Sequence, residues 1–104
     1  MKRIEAVVAP TMRDKVVSAI KQQGVGGVTI WHTQGQGAAE PPLVGQYFSK
    51  EAIVTIVSDS KVDSVLNAIA NVACTGTKGD GKVFVTNVED ALDICTKEKG
   101  ESAI

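Results

Sequence analysis

The stretch from Thr75 to Lys82 is the part of this sequence whose residue types and spacing suggest chemistry. It reads T-G-T-K-G-D-G-K, and its glycines allow consecutive backbone N–H groups to turn inward as a nest for an anion. Lys82 adds a positive charge where a strand is expected to begin. This combination predicts a phosphate site. A plain glycine-rich turn between a helix and a strand is the competing interpretation.

Two catalytic uses of such a loop are disfavoured by the rest of the chain. Gly76 to Lys82 satisfies the spacing G-x-x-x-x-G-K of ATPase phosphate loops, but Val83 stands where Ser or Thr would hold Mg²⁺, and a strand follows instead of a helix. A phosphohydrolase needs a positioned base or nucleophile. His32 is the single histidine and is expected to be an ordinary strand residue. We therefore expect a binding protein and no enzyme.

Composition narrows the function classes further. A chain of 104 residues fits one domain, residues 1–104, and a net charge of −1 argues against a nucleic-acid module. No apolar run approaches the ~20 residues that cross a bilayer, and the N-terminus lacks an apolar signal segment, so we expect a cytoplasmic protein without membrane insertion. Cys74 and Cys95 are too far apart for a metal or disulfide motif.

Hydrophobic periodicity predicts two repeats of a strand–helix–strand unit, with Thr11 capping the first helix and residues 58–60 capping the second. This order is typical of the ferredoxin-like βαββαβ fold, an α+β arrangement with a four-stranded antiparallel sheet and two helices on one face. The other face would expose apolar side chains, so we expect a closed oligomer. The expected elements are strands 2–10, 25–34, 51–57 and 82–87, helices 11–23 and 58–75, and a mobile loop over 34–50.

The string T-x-x-x-G-D-G-K-V-F-V, the opening K-R-I-E-A-V-V-A-P, the segment Gly24 to Thr29 and the closing E-S-A-I together resemble the nitrogen-regulatory PII signal-transduction proteins. The resemblance implies a homotrimer that binds an adenine nucleotide (ATP, ADP or AMP) in clefts between subunits. It also implies regulation of a membrane transporter or a metabolic enzyme through a T-loop, about residues 35–50 here.

Carried over position by position, the resemblance also implies site residues. Thr29 would contact the adenine side of the nucleotide, and Lys50 matches a lysine near the 2-oxoglutarate pocket. Gly35 and Gly37 match glycines at the base of the T-loop. The phosphate-binding B-loop, about residues 75–82, would comprise Thr75, Gly79, Asp80 through its backbone, Gly81 and Lys82.

This sequence departs from the family pattern in its T-loop, which is several residues short and has Tyr47 close to the following strand in place of the modified tyrosine, and at two further places. Asp93 and Cys95 stand where the family has arginines that reach the phosphates, and Ala38-Ala39 replace a pair that includes the ligand of a Mg²⁺ ion. We therefore expect little preference for ATP over ADP, and neither Mg²⁺ nor 2-oxoglutarate acting cooperatively. Two alternatives stay open: a sensor of another small anion or a cyclic nucleotide, and a protein-interaction module with a degenerate nucleotide site.

Overall fold

The computed structural model describes residues 1–37, 47–77 and 79–104. They form one antiparallel sheet with strand order β2-β3-β1-β4. The prediction of a ferredoxin-like fold is confirmed. The elements are β1 (Lys2–Val8), α1 (Arg13–Lys21), β2 (Thr29–Gly35), β3 (Phe48–Val57), α2 (Val62–Ala73) and β4 (Gly81–Asn87).

One face of the sheet is covered by the two helices, and we call it the covered face. Because side chains alternate along a strand, β1 and β3 each send every second residue toward the helices. These residues and the apolar stripes of α1 and α2 form one core with almost no accessible surface. Its members are Ile4, Ala6, Val8, Ile53 and Val57 from the strands and Val16, Ile20, Val65, Ile69 and Ala73 from the helices.

The opposite face, the open face, carries the intervening residues, and no described helix lies against it. Cross-strand register aligns Thr29, Val54, Glu5 and Phe84 in one row across all four strands. The predicted exposure of apolar residues on this face is confirmed on the edge strands, at Trp31 and Phe84, whereas Ala52 and Val54 on the central strand β3 are buried. The open face consists of Arg3, Glu5 and Val7 on β1, Thr29, Trp31 and Thr33 on β2, Phe48, Lys50, Ala52, Val54 and Ile56 on β3, and Lys82, Phe84 and Thr86 on β4.

The predicted helix caps are wrong. A 3₁₀ turn precedes each helix, Pro10–Met12 before α1 and Asp59–Lys61 before α2, and no side chain caps any of them. The turns close through backbone bonds instead: the Met12 N–H donates to the Ala9 carbonyl at 2.9 Å. Since the backbone satisfies these donors, the Thr11 hydroxyl is not needed as a cap.

The β2–β3 hairpin also differs from the prediction. β2 begins at Thr29 instead of residue 25, and β3 begins at Phe48, three residues before the predicted start at Glu51. Pairing of Gly35 with Phe48 explains the longer β3, because ladder hydrogen bonds override a loop-like local composition. Most of the predicted mobile loop, residues 38–46, lies outside the described residues.

Among the described residues, no helix has the length and apolar character that crossing a bilayer requires.

Candidate functional site

The loop between α2 and β4 is fixed at its end by a glycine. Gly81 has φ +119°, and a Cβ atom there would lie 2.2 Å from the carbonyl oxygen of Val7. Any larger residue would push β4 away from β1. The close approach of these two backbones therefore determines where β4 begins, and with it the position of Lys82, the next residue.

The other end of this loop is held by the Asp80 carboxylate. The backbone N–H groups of Thr75 and Gly76 donate to Asp80 Oδ2 at 2.7 and 3.2 Å. The Thr77 hydroxyl donates to Oδ1 at 3.2 Å, and the Thr75 hydroxyl donates to the same oxygen. These hydrogen bonds, with those from Thr75 the largest cause, hold the pKa of Asp80 below its usual value of 3.8. Bonds to the charged form favour ionisation.

Lys82 lies on the open face and is exposed. It pairs with Val7 in the β1–β4 ladder, so its stem starts from a strand and not from a flexible loop. Lys78, the other lysine of the loop, lies outside the described residues. The structure therefore brings Thr75, Gly79, Asp80, Gly81 and Lys82 into one connected unit at the β4 edge of the sheet.

The remaining predicted site residues lie at the opposite edge. Thr29 is exposed on the open face of β2, and β2 and β4 are the two edge strands of the sheet. At ~4.8 Å between neighbouring strands, three spacings separate Thr29 from β4 by about 14 Å. Gly35 ends β2 beside Lys50, since a Cβ on Gly35 would lie 3.9 Å from Lys50 Cγ. Gly37 follows as an exposed residue.

Asp93 organises a turn in the segment after β4. Its Oδ1 accepts hydrogen bonds from the N–H groups of Cys95 and Thr96, at 3.0 and 2.9 Å. These bonds, with Thr96 the largest cause, lower the pKa of Asp93. Ile94, which lies between Asp93 and Cys95 in the sequence, is 92% exposed. The carboxylate of Asp93 is therefore engaged in hydrogen bonds within the turn. Cys95 is an exposed free thiol.

Sequence reasoning missed a cluster at the edge of the covered face. Glu51 lies opposite His32 in the β2–β3 ladder, and His32 Nδ1 is 2.6 Å from Glu51 Oε1. Arg13 Nη1 is 3.8 Å from the same oxygen. Glu51 is buried, and in the described part of the chain its Oε2 has no hydrogen-bond partner. Only the register of the hairpin brings these residues together, so no local motif signals the cluster.

A shallow cleft lies away from the B-loop, beside the α1–β2 connection. None of the predicted nucleotide contacts lines it. Lys61 reaches into this region from the 3₁₀ turn before α2 and donates to the carbonyl oxygens of Gln23 and Gly24, at 2.8 and 3.4 Å, so its charge compensates the carbonyl end of α1. The cleft is lined by Gly24, Val25, Gly26, Ile56, Val57, Ser58, Lys61, Glu101 and Ile104.

Comparison with known proteins places these features in a family. A family model described as "Nitrogen regulatory protein P-II" matches residues 1–98. The chain belongs to the P-II family. The match includes all four strands, the B-loop and the turn at Asp93, so the predicted resemblance is confirmed.

Individual P-II relatives agree along the whole chain. Nitrogen regulatory protein P-II of Rhizobium meliloti is 35% identical, and that of Azospirillum brasilense is 37% identical, each over 112 positions that cover both proteins completely. Because this chain has 104 residues, at least eight of the 112 aligned positions have no counterpart in it. The P-II homolog of Arabidopsis thaliana is 36% identical, covering 97% of this chain and 56% of the plant protein.

Proposed function

We propose that this protein is a signalling regulator that binds an adenine nucleotide between copies of the chain and acts on a membrane transporter or a metabolic enzyme through its T-loop. Membership of the P-II family supports a regulatory role without catalysis. The observation that carries the nucleotide proposal is the division of the predicted contacts between the two edge strands of the open face.

The edge strands support assembly through the open face. Six of the seven residues are exposed in β2 and again in β4, although both strands carry large apolar side chains. Trp31 keeps 49% and Phe84 keeps 51% of its surface exposed. Apolar patches of this kind mark interfaces, and association would also cover the unpaired edges of the sheet. A homotrimer, as in the family resemblance, would place the β2 edge of one copy near the β4 edge of the next.

Such an assembly would complete the nucleotide site. Within one chain, Thr29 and Lys82 are separated by the width of the sheet and lie in different cross-strand rows. The row of Thr29 continues through Val54 and Glu5 to Phe84, whereas Lys82 pairs with Val7. Between two chains, the adenine side at Thr29 and the phosphate side at Lys82 would come from different copies. The charge of the open face suits an anionic ligand, since Arg3, Lys50 and Lys82 outnumber its single acid, Glu5.

The C-terminal turn supports a weak preference among nucleotides. Asp93 brings a negative charge, and Cys95 a neutral group, to positions where the family resemblance implies phosphate-binding cations. Lys82 would then supply the main cationic contact, and a third phosphate would gain little that water does not already provide. We therefore propose similar affinities for ATP and ADP, with Mg²⁺ and 2-oxoglutarate adding little through Lys50 alone.

Calorimetric titration with AMP, ADP and ATP tests this function. We expect wild-type protein to bind ADP and ATP, and Lys82→Ala to weaken both. Lys15→Ala is the matched control, because Lys15 is exposed on α1, on the other side of the sheet. Unchanged affinity in Lys82→Ala would contradict the proposed site. Tenfold tighter ATP binding with Mg²⁺ and 2-oxoglutarate, a coupling of ~1.4 kcal/mol, would contradict the proposed selectivity.

The same titration distinguishes the two alternatives. Binding of a cyclic nucleotide or another small anion in place of adenine nucleotides would identify a sensor of a different ligand. Absence of binding by any of them would favour a protein-interaction module. A variant lacking residues 38–46 tests the regulatory role, since it should retain nucleotide binding and lose its effect on the partner.

Light scattering tests the assembly. We expect a mass three times the 10.9 kDa of one chain. Phe84→Asp should reduce it, because a carboxylate would be buried opposite Glu5 in the centre of the interface. Val72→Asp makes the same change on α2, away from the open face, and should leave the mass unchanged. A monomeric wild-type protein at micromolar concentration would exclude the composite site.

A further inference from the structure

The B-loop already holds one anion, and that anion is its own side chain. The Asp80 carboxylate accepts hydrogen bonds from two consecutive backbone N–H groups and from two hydroxyl groups. Consecutive N–H groups directed at one acceptor are the same arrangement that cradles a phosphate. The Thr75 and Thr77 hydroxyl oxygens also lie 2.8 Å apart, and because each hydroxyl has one proton, a hydrogen bond between them would replace one of the bonds to Asp80.

Two glycines allow Asp80 to reach these donors. Gly79 and Gly81 flank it with φ of +93° and +119°, a left-handed conformation that glycine adopts without strain. The chain can therefore reverse around Asp80, so that its carboxylate points back toward the end of α2. The side chain and the glycines of the G-D-G sequence act together in forming this turn.

A second anion cannot share the same donors. A phosphate placed on the Thr75 and Gly76 N–H groups would have to displace the carboxylate or lie in contact with its charge. In the ionised state the carboxylate repels it, and a displaced carboxylate would lose four hydrogen bonds. The end of the loop that stays available comprises Gly79, Gly81 and Lys82.

We propose that Asp80 is a positioning residue, an internal anion that occupies the Thr75–Gly76 end of the B-loop and thereby holds the Gly79–Lys82 end in place for phosphate. This inference rests on the proposed nucleotide-binding function and refines it. Thr75 then acts through Asp80 and does not contact the nucleotide. The specificity of the loop for phosphate lies in its second half.

An NMR titration with ADP tests which half of the loop contacts phosphate. We expect the amide signals of Gly79, Gly81 and Lys82 to shift, whereas those of Thr75 and Gly76 stay in place. Shifts of equal size at Thr75 and Gly76 would overturn the proposal, because those amides would then be ligand contacts.

A double-mutant cycle tests whether Thr75 acts through Asp80. We expect Asp80→Ala and Thr75→Val each to weaken ADP binding, Asp80→Ala by about tenfold, and the double variant to bind no more weakly than Asp80→Ala alone. Lys82→Ala should add its full effect in either background. An independent effect of Thr75→Val in the Asp80→Ala background would contradict the proposal. Thermal melting of each variant identifies loss of folding.

Amide hydrogen exchange in the nucleotide-free protein separates this inference from the proposed function. Asp80→Ala should accelerate exchange at Thr75 and Gly76 by about tenfold or more, since both N–H groups lose their acceptor, and leave exchange at Ile53 unchanged. Unaltered exchange at Thr75 and Gly76 would overturn the internal anion. Failure of wild-type protein to bind any nucleotide would overturn the proposed function, whereas the exchange experiment would still decide whether Asp80 holds the loop.

Discussion

On the covered face of the sheet, Ile4 and Ile53 have lost all their accessible surface, whereas on the open face Trp31 and Phe84 keep about half of theirs. The two pairs also differ in their position within the sheet, since Ile4 and Ile53 lie on the central strands β1 and β3, whereas Trp31 and Phe84 lie on the edge strands β2 and β4. The near-continuous apolar run from Ala52 to Val54 in β3 is typical of a strand that is covered on both sides. Among the described residues, the apolar side chains that stay exposed on the open face are therefore those of its edge strands and of Phe48 at the start of β3, whereas Ala52 and Val54 further along the central strand β3 are buried.

This division also separates stability from binding. The covered face takes its neighbours from the same chain, so substitutions there should change the free energy of unfolding. The open face carries Thr29, Lys50 and Lys82 and takes its proposed neighbours from other copies or from a ligand. Substitutions there should change association and affinity more than the stability of a single chain.

The largest expected effect comes from the covered face. Ile53→Ala should lower the free energy of unfolding by about 2–5 kcal/mol, because it leaves a cavity in the core. Urea unfolding at several protein concentrations measures it. Phe84→Ala is the comparison on the open face, and its effect should depend on protein concentration if the proposed assembly covers that ring. An equal loss of unfolding free energy in both variants, independent of protein concentration, would contradict this distinction between the faces.

The next effect concerns the point where β4 meets β1. Gly81→Ala forces a left-handed φ on a residue with a side chain, which costs about 1–3 kcal/mol, and its Cβ also collides with the Val7 carbonyl. Gly79→Ala carries the φ strain alone, since its Cβ would meet open space. Thermal unfolding of the two variants should therefore rank Gly81→Ala as the less stable. The reverse ranking would mean that the β1–β4 contact is not what fixes Lys82.

In the cluster at the edge of the covered face, substitutions of His32 and of Glu51 should change the free energy of unfolding in different directions. His32→Ala should destabilise the fold by about 1–3 kcal/mol, because it leaves the buried Glu51 carboxylate with a poorer set of partners. Glu51→Leu should be neutral or stabilising, since it removes the unpartnered Oε2 while His32 and Arg13 remain hydrated. Chemical denaturation of both variants decides. A strong destabilisation by Glu51→Leu would show that the carboxylate has a partner that stabilises it.

The smallest effect is acid sensitivity in the turns. Asp80 and Asp93 have lowered pKa values in the folded protein, so the stability they contribute is present above the unfolded pKa of about 3.9 and is lost as pH falls through the folded value. Amide NMR signals of Thr75, Gly76, Cys95 and Thr96 should therefore move on acidification below about pH 4, before the signal of Ile53 moves. Simultaneous movement at all five residues would indicate global unfolding instead.

The order of the elements could be predicted from the sequence, because alternation and helical periodicity are local properties of the chain. The sequence also identified the glycine-rich loop and Lys82. The predictions of the helix caps and of the start of β3 were wrong. Backbone turns take the place of a cap by Thr11, and ladder pairing with β2 extends β3 to Phe48.

Which residues meet in space depends on the tertiary fold. The pairing of His32 with Glu51 depends on hairpin register, and the capture of Asp80 by Thr75 and Gly76 depends on the path of the backbone through two left-handed glycines. The placement of Thr29 and Lys82 on opposite edges of one face follows from strand order. Each of these features depends on the path of the backbone or on the pairing of distant segments. Residue types and local spacing do not contain that information.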